Sequence, residues 1–177
     1  MGKNVMTTRK ARPIRTTLYA FILWGDRFDE EVTTIFATEL RRLGICVKIV
    51  GLTGLQAAGI HGLVLSADLT LGQALPLANQ AICVVVPCSA SVLQRSEDDP
   101  RVQQFLREAM TNQAQFVISS GDTIEQTSLK LISTPDTPFL IYKESYELVD
   151  LAHKMAVLLS TLVADPAASA NSRFKDQ

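Results

Sequence analysis

The chain has 177 residues, with 17 Lys and Arg against 18 Asp and Glu, 47% hydrophobic residues, three Cys and two His. A chain of this length buries roughly 70% of the surface that its unfolded form exposes, so it needs no disulfide or metal to hold a core. The composition excludes collagen, a coiled coil and wholesale disorder. It predicts one globular domain.

The charge is unevenly distributed along the chain. Residues 1–15 contain five Lys and Arg and no acid, whereas the rest has 12 basic and 18 acidic residues, a net charge of −6. We interpret residues 1–17 as a basic N-terminal arm, residues 18–164 as a single domain and residues 165–177 as a flexible tail. Phosphate binding needs a clustered basic face, so the acidic body predicts no nucleic-acid partner.

The cysteines and the apolar runs bear on the location of the protein. The three Cys are odd in number and form no CxxC motif, which predicts reduced thiols in a cytoplasmic protein, with an organelle transit peptide as the alternative. The apolar runs at 18–24 and 81–87 are shorter than the ~20 residues that a membrane helix requires, so no membrane span is predicted. His61 and His153 have no neighbours that suggest a shared metal site, and no metal or other cofactor is predicted.

The first part of the domain has the pattern of a βαβ unit. Residues 18–24 form a continuous apolar run, typical of a strand buried on both faces. The acids at 29–31 favour a helix start, and apolar residues then recur at helical spacing until Arg41, Arg42 and Gly44 indicate its end. Residues 45–50 predict a second strand. The four glycines within 51–66 predict a hairpin or ribbon.

The second part continues the alternation of strands and helices. Residues 82–86 predict a central strand, Asp99 and Pro100 the start of a helix, and residues 116–118 another strand. Asp122 and Glu125 have the spacing of a capping box. Residues 139–142 predict the last strand and 145–163 the last helix. This order predicts a flavodoxin-like three-layer α/β sandwich with a doubly wound, mostly parallel sheet, whose ligands bind at the carboxyl ends of the strands.

Several strings within residues 18–125, in this order, resemble the ThiJ/PfpI superfamily, whose fold is similar to the amidotransferase domain of glutamine-using enzymes. The strings are Arg41-Arg-Leu-Gly-Ile-Cys-Val47, Val50-Gly-Leu-Thr-Gly54, Ala67-Asp-Leu-Thr-Leu71, Val84-Val-Val-Pro87, residues 102–106 with the preceding cap, and Val117-Ile-Ser-Ser-Gly121. The resemblance implies a nucleophilic Cys on a strand-to-helix turn, a nearby His, a Pro-Gly-Gly oxyanion region and an acid from the start of the first helix. It also implies a homodimer.

The chain departs from that family at the four places where chemistry is expected. Ser119 stands where the family has its nucleophilic Cys, and no His follows until His153. Residues 87–89 read Pro-Cys-Ser in place of Pro-Gly-Gly. Counting back from the end of the first helix, the acid position falls on Val32, with Glu31 beside it. A serine hydroxyl needs an adjacent general base to attack a substrate.

These departures predict a non-catalytic binding or regulatory protein, a pseudoenzyme with an unidentified small molecule or protein as partner. The alternative is a serine- or cysteine-based hydrolase or deglycase, and a subunit analogous to an amidotransferase partner domain is a third possibility. The candidate site residues are Ser119 and Glu31, as the vestigial nucleophile and acid, with Cys88, Ser89, Ser120, Gly121 and Asp26 around the cleft. Cys88 is expected to be the solvent-accessible thiol, and Cys46 and Cys83 to be core residues.

Overall fold

The computed structural model describes residues 17–142 and 145–164. Apart from Thr17, the predicted arm lies outside the described residues, as do the predicted tail and residues 143–144. Within the described residues, no helix combines the length and the apolarity that crossing a bilayer requires.

The centre of the fold is a six-stranded sheet in which every described strand pairing is parallel. The strands, in chain order, are β1 (Tyr19–Trp24), β2 (Cys46–Gly51), β3 (Gln56–Ala58), β4 (Val64–Ser66), β5 (Leu69–Thr70), β6 (Ala81–Val85), β7 (Gln115–Ile118) and β8 (Phe139–Ile141). The sheet order is β5-β2-β1-β6-β7-β8, and β3 and β4 form a separate antiparallel ribbon. This topology confirms the predicted doubly wound α/β fold.

Helices cover both faces of the sheet and complete the three layers. They are α1 (Glu30–Arg42), α2 (Leu71–Ala74), α3 (Ala90–Ser96), α4 (Pro100–Thr111), α5 (Gly121–Glu125), α6 (Leu129–Ile132) and α7 (Ser145–Ala164), with a 3-10 helix at Leu75–Gln80. One core cluster joins the sheet to α1 and α7, and the other joins it to α2, the 3-10 helix, α3, α4 and α6. Strands β1 and β6 are continuous apolar runs because both of their faces pack against a layer of helices. In β1, for example, Phe21 and Ile22 face opposite layers, and both side chains are fully buried.

Helix α1 begins and ends where its sequence signals predict. The Asp29 side chain caps it by accepting a hydrogen bond of 3.0 Å from the Val32 N–H. Arg41 and Arg42 occupy the last turn, and Gly44 adopts φ +78°, the left-handed backbone that favours glycine after a helix. The position of α1 is therefore set by local sequence.

Two expectations about local structure are wrong, and helix α3 was not predicted, because residues 90–96 carry no strong start signal. The Asp122–Glu125 capping box does not form: the N-cap of α5 is Ser120, two residues before Asp122, and the Ser120 side chain makes no capping hydrogen bond. Cys46 is exposed instead of buried, because it is the first residue of β2, at the end of the sheet where the chain enters from solvent.

The β3–β4 ribbon packs against the end of β1 through a small aromatic cluster. Trp24 and Phe28 are buried and stack with their ring centroids 4.7 Å apart, and Ala57 of the ribbon completes the cluster. The ribbon confirms the hairpin that the glycine pattern predicted. It also fixes the loop that follows β1.

Candidate functional site

A pocket of about 370 Å³ opens at the carboxyl ends of four neighbouring strands. Its wall consists of residues from the loops after β1, β6, β7 and β8, together with one residue of the ribbon and one of α3: Arg27, Asp29, Ile60, Cys88, Ser89, Val92, Ser119 and Tyr142. Ligands of doubly wound sheets bind at this edge, which is the edge that the strand order predicted.

The loop after β1 is clamped by the ribbon. The Arg27 N–H donates to the Ala58 carbonyl at 2.6 Å, and the Ile60 N–H donates to the Phe28 carbonyl at 3.0 Å. Arg27 adopts φ +65°, a backbone conformation that costs a non-glycine residue free energy and that persists where surrounding contacts enforce it. The two hydrogen bonds and the buried Phe28 ring hold Arg27 in this conformation at the pocket wall.

Asp29 links the loops after β1 and β6. Its N–H donates to the Pro87 carbonyl at 2.6 Å, while its Oδ1 accepts the capping hydrogen bond from Val32. No ion pair joins Asp29 to Arg27, and within residues 17–142 and 145–164 the Arg27 guanidinium has no hydrogen-bond or ion-pair partner. The pocket wall thus carries two opposite charges that do not neutralise each other directly.

Ser119 follows β7 at the turn into α5, and its hydroxyl is engaged by neighbouring groups. Its Oγ donates to the Cys88 carbonyl at 3.0 Å and lies 3.1 Å from Oγ1 of Thr123. The Tyr142 side chain is a further hydrogen-bond partner. Among the described residues other than glycine, positive φ occurs at Arg27 and Gln113, so Ser119 lacks that form of backbone strain.

Burial keeps the two remaining ionisable groups of the wall protonated. It raises the pKa of the Cys88 thiol to about 12, and the side chain of Cys88 is buried, not solvent-accessible as expected. Burial also raises the pKa of Tyr142, the charge of Asp29 and the proximity of Cys88 add to this rise, and the hydrogen bond with Ser119 opposes it. Among the lining residues that the structure describes, the formal charges at neutral pH are those of Arg27 and Asp29.

The structure brings three of the predicted site residues together, since Ser119, Cys88 and Ser89 all line the pocket. The other four lie outside the lining: Glu31, Asp26 and Gly121 are exposed, and Ser120 is half-buried. The sequence prediction missed five lining residues, namely Arg27, Asp29, Ile60, Val92 and Tyr142. Asp29 could have been found, since it is the N-cap residue directly after the loop of β1, whereas Arg27 follows no recognisable motif.

Glu30, and not Glu31, is the buried acid at the start of α1. Its carboxylate accepts hydrogen bonds from the backbone N–H groups of His61 at 2.8 Å and Leu63 at 3.3 Å, and it lies 3.1 Å from Nδ1 of His61. Burial raises the pKa of Glu30, but these hydrogen bonds, with one from its own backbone N–H, outweigh burial and lower it overall. Glu30 therefore anchors the turn of the ribbon to α1.

The second histidine has a similar partner at the other end of α1. Nδ1 of His153 lies 3.2 Å from the Glu39 carboxylate, which also accepts from Arg42 at 2.8 Å. Both histidines are thus surface residues paired with a glutamate. In the part of the chain that the structure describes, no three His, Cys, Asp or Glu side chains gather in a way that could hold a metal ion.

Comparison with known proteins identifies the fold. The chain matches no family model and no curated protein sequence. Among solved structures it is similar to a cysteine-to-alanine mutant of a DJ-1 superfamily protein from Salmonella typhimurium, with a TM-score of 0.63 and 17% identity over 87% of this chain and 98% of that one. Oxidised DJ-1 from Toxoplasma gondii gives a TM-score of 0.62 and 12% identity over 86% of this chain and 97% of that one.

A third similar structure is the putative protease I of Bacteroides thetaiotaomicron, with a TM-score of 0.57 and 10% identity over 83% of this chain and 98% of that one. The described domain therefore has the α/β fold of DJ-1/ThiJ/PfpI superfamily structures. At these identities the likeness concerns the fold, and the function must be argued from the site itself.

Proposed function

We propose that the chain is a non-catalytic relative of the DJ-1/ThiJ/PfpI proteins that binds a small molecule in the pocket at the carboxyl edge of its sheet. Its role is binding or regulation. The free thiols of Cys46, Cys83 and Cys88 fit the reducing cytoplasm that we propose as its location.

The observation that carries this proposal is the state of the Ser119 hydroxyl. A serine attacks a substrate only when a neighbouring base takes its proton. Here the hydroxyl is within hydrogen-bond distance of a backbone carbonyl and of Thr123, and no histidine is among the described residues that line the pocket. Tyr142 could act as a base only as a phenolate, and burial raises its pKa and keeps it protonated.

Two further features support a binding role. The Cys88 thiol, with a pKa raised to about 12, holds almost no thiolate at neutral pH, and the thiolate is the nucleophilic form. The turn of Ser119 leads into a helix of five residues, too short to supply a strong dipole to an oxyanion. Both features weaken a serine- or cysteine-based mechanism.

A fluorophosphonate probe tests the proposal, because it labels serine hydroxyls that a neighbouring base activates. We expect intact-mass analysis to detect no adduct on the full chain, with Ser119→Ala as the matched control for background labelling. An adduct that maps to Ser119 and disappears in Ser119→Ala would establish the alternative, a serine hydrolase or deglycase, and would refute the non-catalytic proposal.

We also propose that the chain forms a homodimer. Four apolar side chains on and beside the ribbon, those of Leu55, Ile60, Leu63 and Val64, are each 48–59% exposed, and we infer that they contribute to a protein–protein contact. Sedimentation velocity of the full chain should give a dimer, and Leu63→Lys should shift it toward a monomer. Leu131→Lys, at an exposed apolar residue of α6, is the control that should leave the dimer intact. A monomeric wild-type chain would refute the homodimer.

A further inference from the structure

We propose that the ligand of the pocket is a small zwitterion of amino-acid size, whose carboxylate pairs with Arg27 and whose ammonium pairs with Asp29. This inference rests on the proposed function and names its ligand class. Both residues line the same pocket, and the 370 Å³ it encloses lies near the lower end of the range for small-molecule sites.

The charges of the wall point to a ligand that carries both signs. Arg27 and Asp29 supply one charge each, and the other described lining residues are apolar or neutral. A ligand with a carboxylate alone would pair with Arg27 but repel Asp29, and a ligand with an amine alone would do the reverse. A neutral ligand would displace water from both charges and give neither a counter-charge, which costs binding free energy.

The two charges are available to a ligand because they do not satisfy each other. No ion pair joins them, and within residues 17–142 and 145–164 the guanidinium of Arg27 has no side-chain or backbone partner. One oxygen of Asp29 caps α1 through Val32, and the other has no hydrogen-bond partner among the described residues. A planar guanidinium with free N–H groups recognises a carboxylate in a bidentate manner.

The loop that carries the charges is fixed before any ligand arrives. Phe28, between Arg27 and Asp29, is fully buried, and the ribbon and the Pro87 carbonyl hold the backbone on either side of it. Such preorganisation lowers the entropic cost of binding. The hydroxyls of Ser89, Ser119 and Tyr142 and the apolar side chains of Ile60 and Val92 remain to contact the body of the ligand.

Four probes of one skeleton separate the contributions of the two charges. They are L-norvaline, which is the zwitterion, pentanoate, which lacks the ammonium, butylamine, which lacks the carboxylate, and pentanamide, which is neutral. Binding is measured by 15N–1H NMR titration of the full chain at constant ionic strength, with the amides of residues 88–92 and 119–123 as reporters of the pocket. We expect a dissociation constant for L-norvaline at least about tenfold below those of the other three.

Charge-neutral variants of the two residues should change the preference in opposite directions. Asp29→Asn retains a good helix cap, so it removes the charge with little effect on folding. It should bind L-norvaline no better than pentanoate, while Arg27→Gln should bind it no better than butylamine. Asp99→Asn is the matched control, because Asp99 is likewise the N-cap of a helix, α4, and does not line the pocket. It should retain the wild-type preference.

The possible outcomes distinguish the ligand class from the proposed function. If pentanoate, butylamine or pentanamide binds as tightly as L-norvaline, the proposal of a zwitterionic ligand is wrong, although the pocket still binds small molecules. Failure of all four probes to move the reporter amides would also overturn it. A fluorophosphonate adduct at Ser119 would overturn the non-catalytic function without altering the charge preference that the titrations measure.

Discussion

Replacing Phe28 by alanine tests whether the aromatic cluster under the ribbon holds the loop that lines the pocket. The Phe28 side chain is fully buried and stacks on Trp24 at 4.7 Å between ring centroids. Truncation of a buried Phe to Ala typically costs about 3–5 kcal/mol, of which the aromatic pair supplies roughly 0.5–1.5 kcal/mol. We expect about 3 kcal/mol for Phe28→Ala, because the ribbon lies at the surface and can collapse onto part of the cavity.

Urea unfolding measures this loss directly. Trp24 is the single tryptophan of the chain and is 1% exposed, so its emission shifts to the red when the cluster opens to water. With a typical urea m-value of about 2 kcal/mol per molar, a loss of about 3 kcal/mol lowers the midpoint by about 1.5 M. Circular dichroism followed in parallel separates global unfolding from a local change around the tryptophan.

The same substitution should weaken ligand binding, since Phe28 lies between the two charged residues of the pocket wall. Leu131→Ala is the control, because that side chain is 86% exposed and its loss should change the free energy of unfolding by less than about 0.5 kcal/mol. A loss below about 1 kcal/mol for Phe28→Ala would refute the reasoning, since it would mean that the ring contributes little packing.

Three further predictions concern the thiols, acid stability and one glycine. Iodoacetamide at pH 8 should alkylate the exposed Cys46 at least about tenfold faster than Cys88, whose burial raises its pKa to about 12; equal rates by mass spectrometry would contradict this. Hydrogen bonds from Arg42 and then His153 lower the pKa of Glu39 below 4.5, so its contribution to stability is present above about pH 4.5 and is lost as the pH falls through the folded-state pKa. In urea titrations, Glu39→Gln should therefore have a lower free energy of unfolding than wild type at pH 7, and this difference should shrink at low pH. A difference that does not change with pH would contradict the assignment. Gly51→Ala should destabilise by at least about 2 kcal/mol, because the new Cβ meets the backbone of the loop after β2, whereas Gly121→Ala, with open space around its Cβ, should be neutral or stabilising in thermal melts.

The order of strands and helices could be predicted because each element carries its own signal. The apolar run of β1 and the β-branched run of β6 indicate strands with two buried faces, and they are the two central strands of the sheet. The cap at Asp29 and the glycine at 44 define the limits of α1. Helix α3 escaped prediction because its residues, 90–96, show neither a side-chain cap nor a strong apolar repeat.

The site was harder to predict, because its geometry depends on contacts between distant parts of the chain. Cys88 is buried by packing in the core cluster that spans β1, β6, β7 and α3, which no local pattern around residue 88 reveals. Three consecutive acids, Asp29, Glu30 and Glu31, stand at the start of α1, and the sequence alone does not show which of them faces the pocket. In the structure Asp29 lines the pocket, Glu30 points to the ribbon and Glu31 is exposed. Arg27 owes its place to a left-handed backbone that arginine does not favour by itself.

The distribution of charge around the pocket favours holding a ligand over attacking one. A nucleophilic site requires a base beside the attacking group, yet the Ser119 hydroxyl is within hydrogen-bond distance of a backbone carbonyl and of Thr123, and burial keeps Tyr142 on the same wall protonated. The formal charges instead come from Arg27 and Asp29, on a loop that backbone hydrogen bonds and a buried ring hold in place. Fixed charges of opposite sign around neutral hydroxyls can orient a ligand of matching charges, and neither Arg27 nor Asp29 is among the hydrogen-bond partners of Ser119 within the described residues. The charged side chains of the described pocket wall thus lie on the loop after β1, and not at the strand-to-helix turn that carries Ser119.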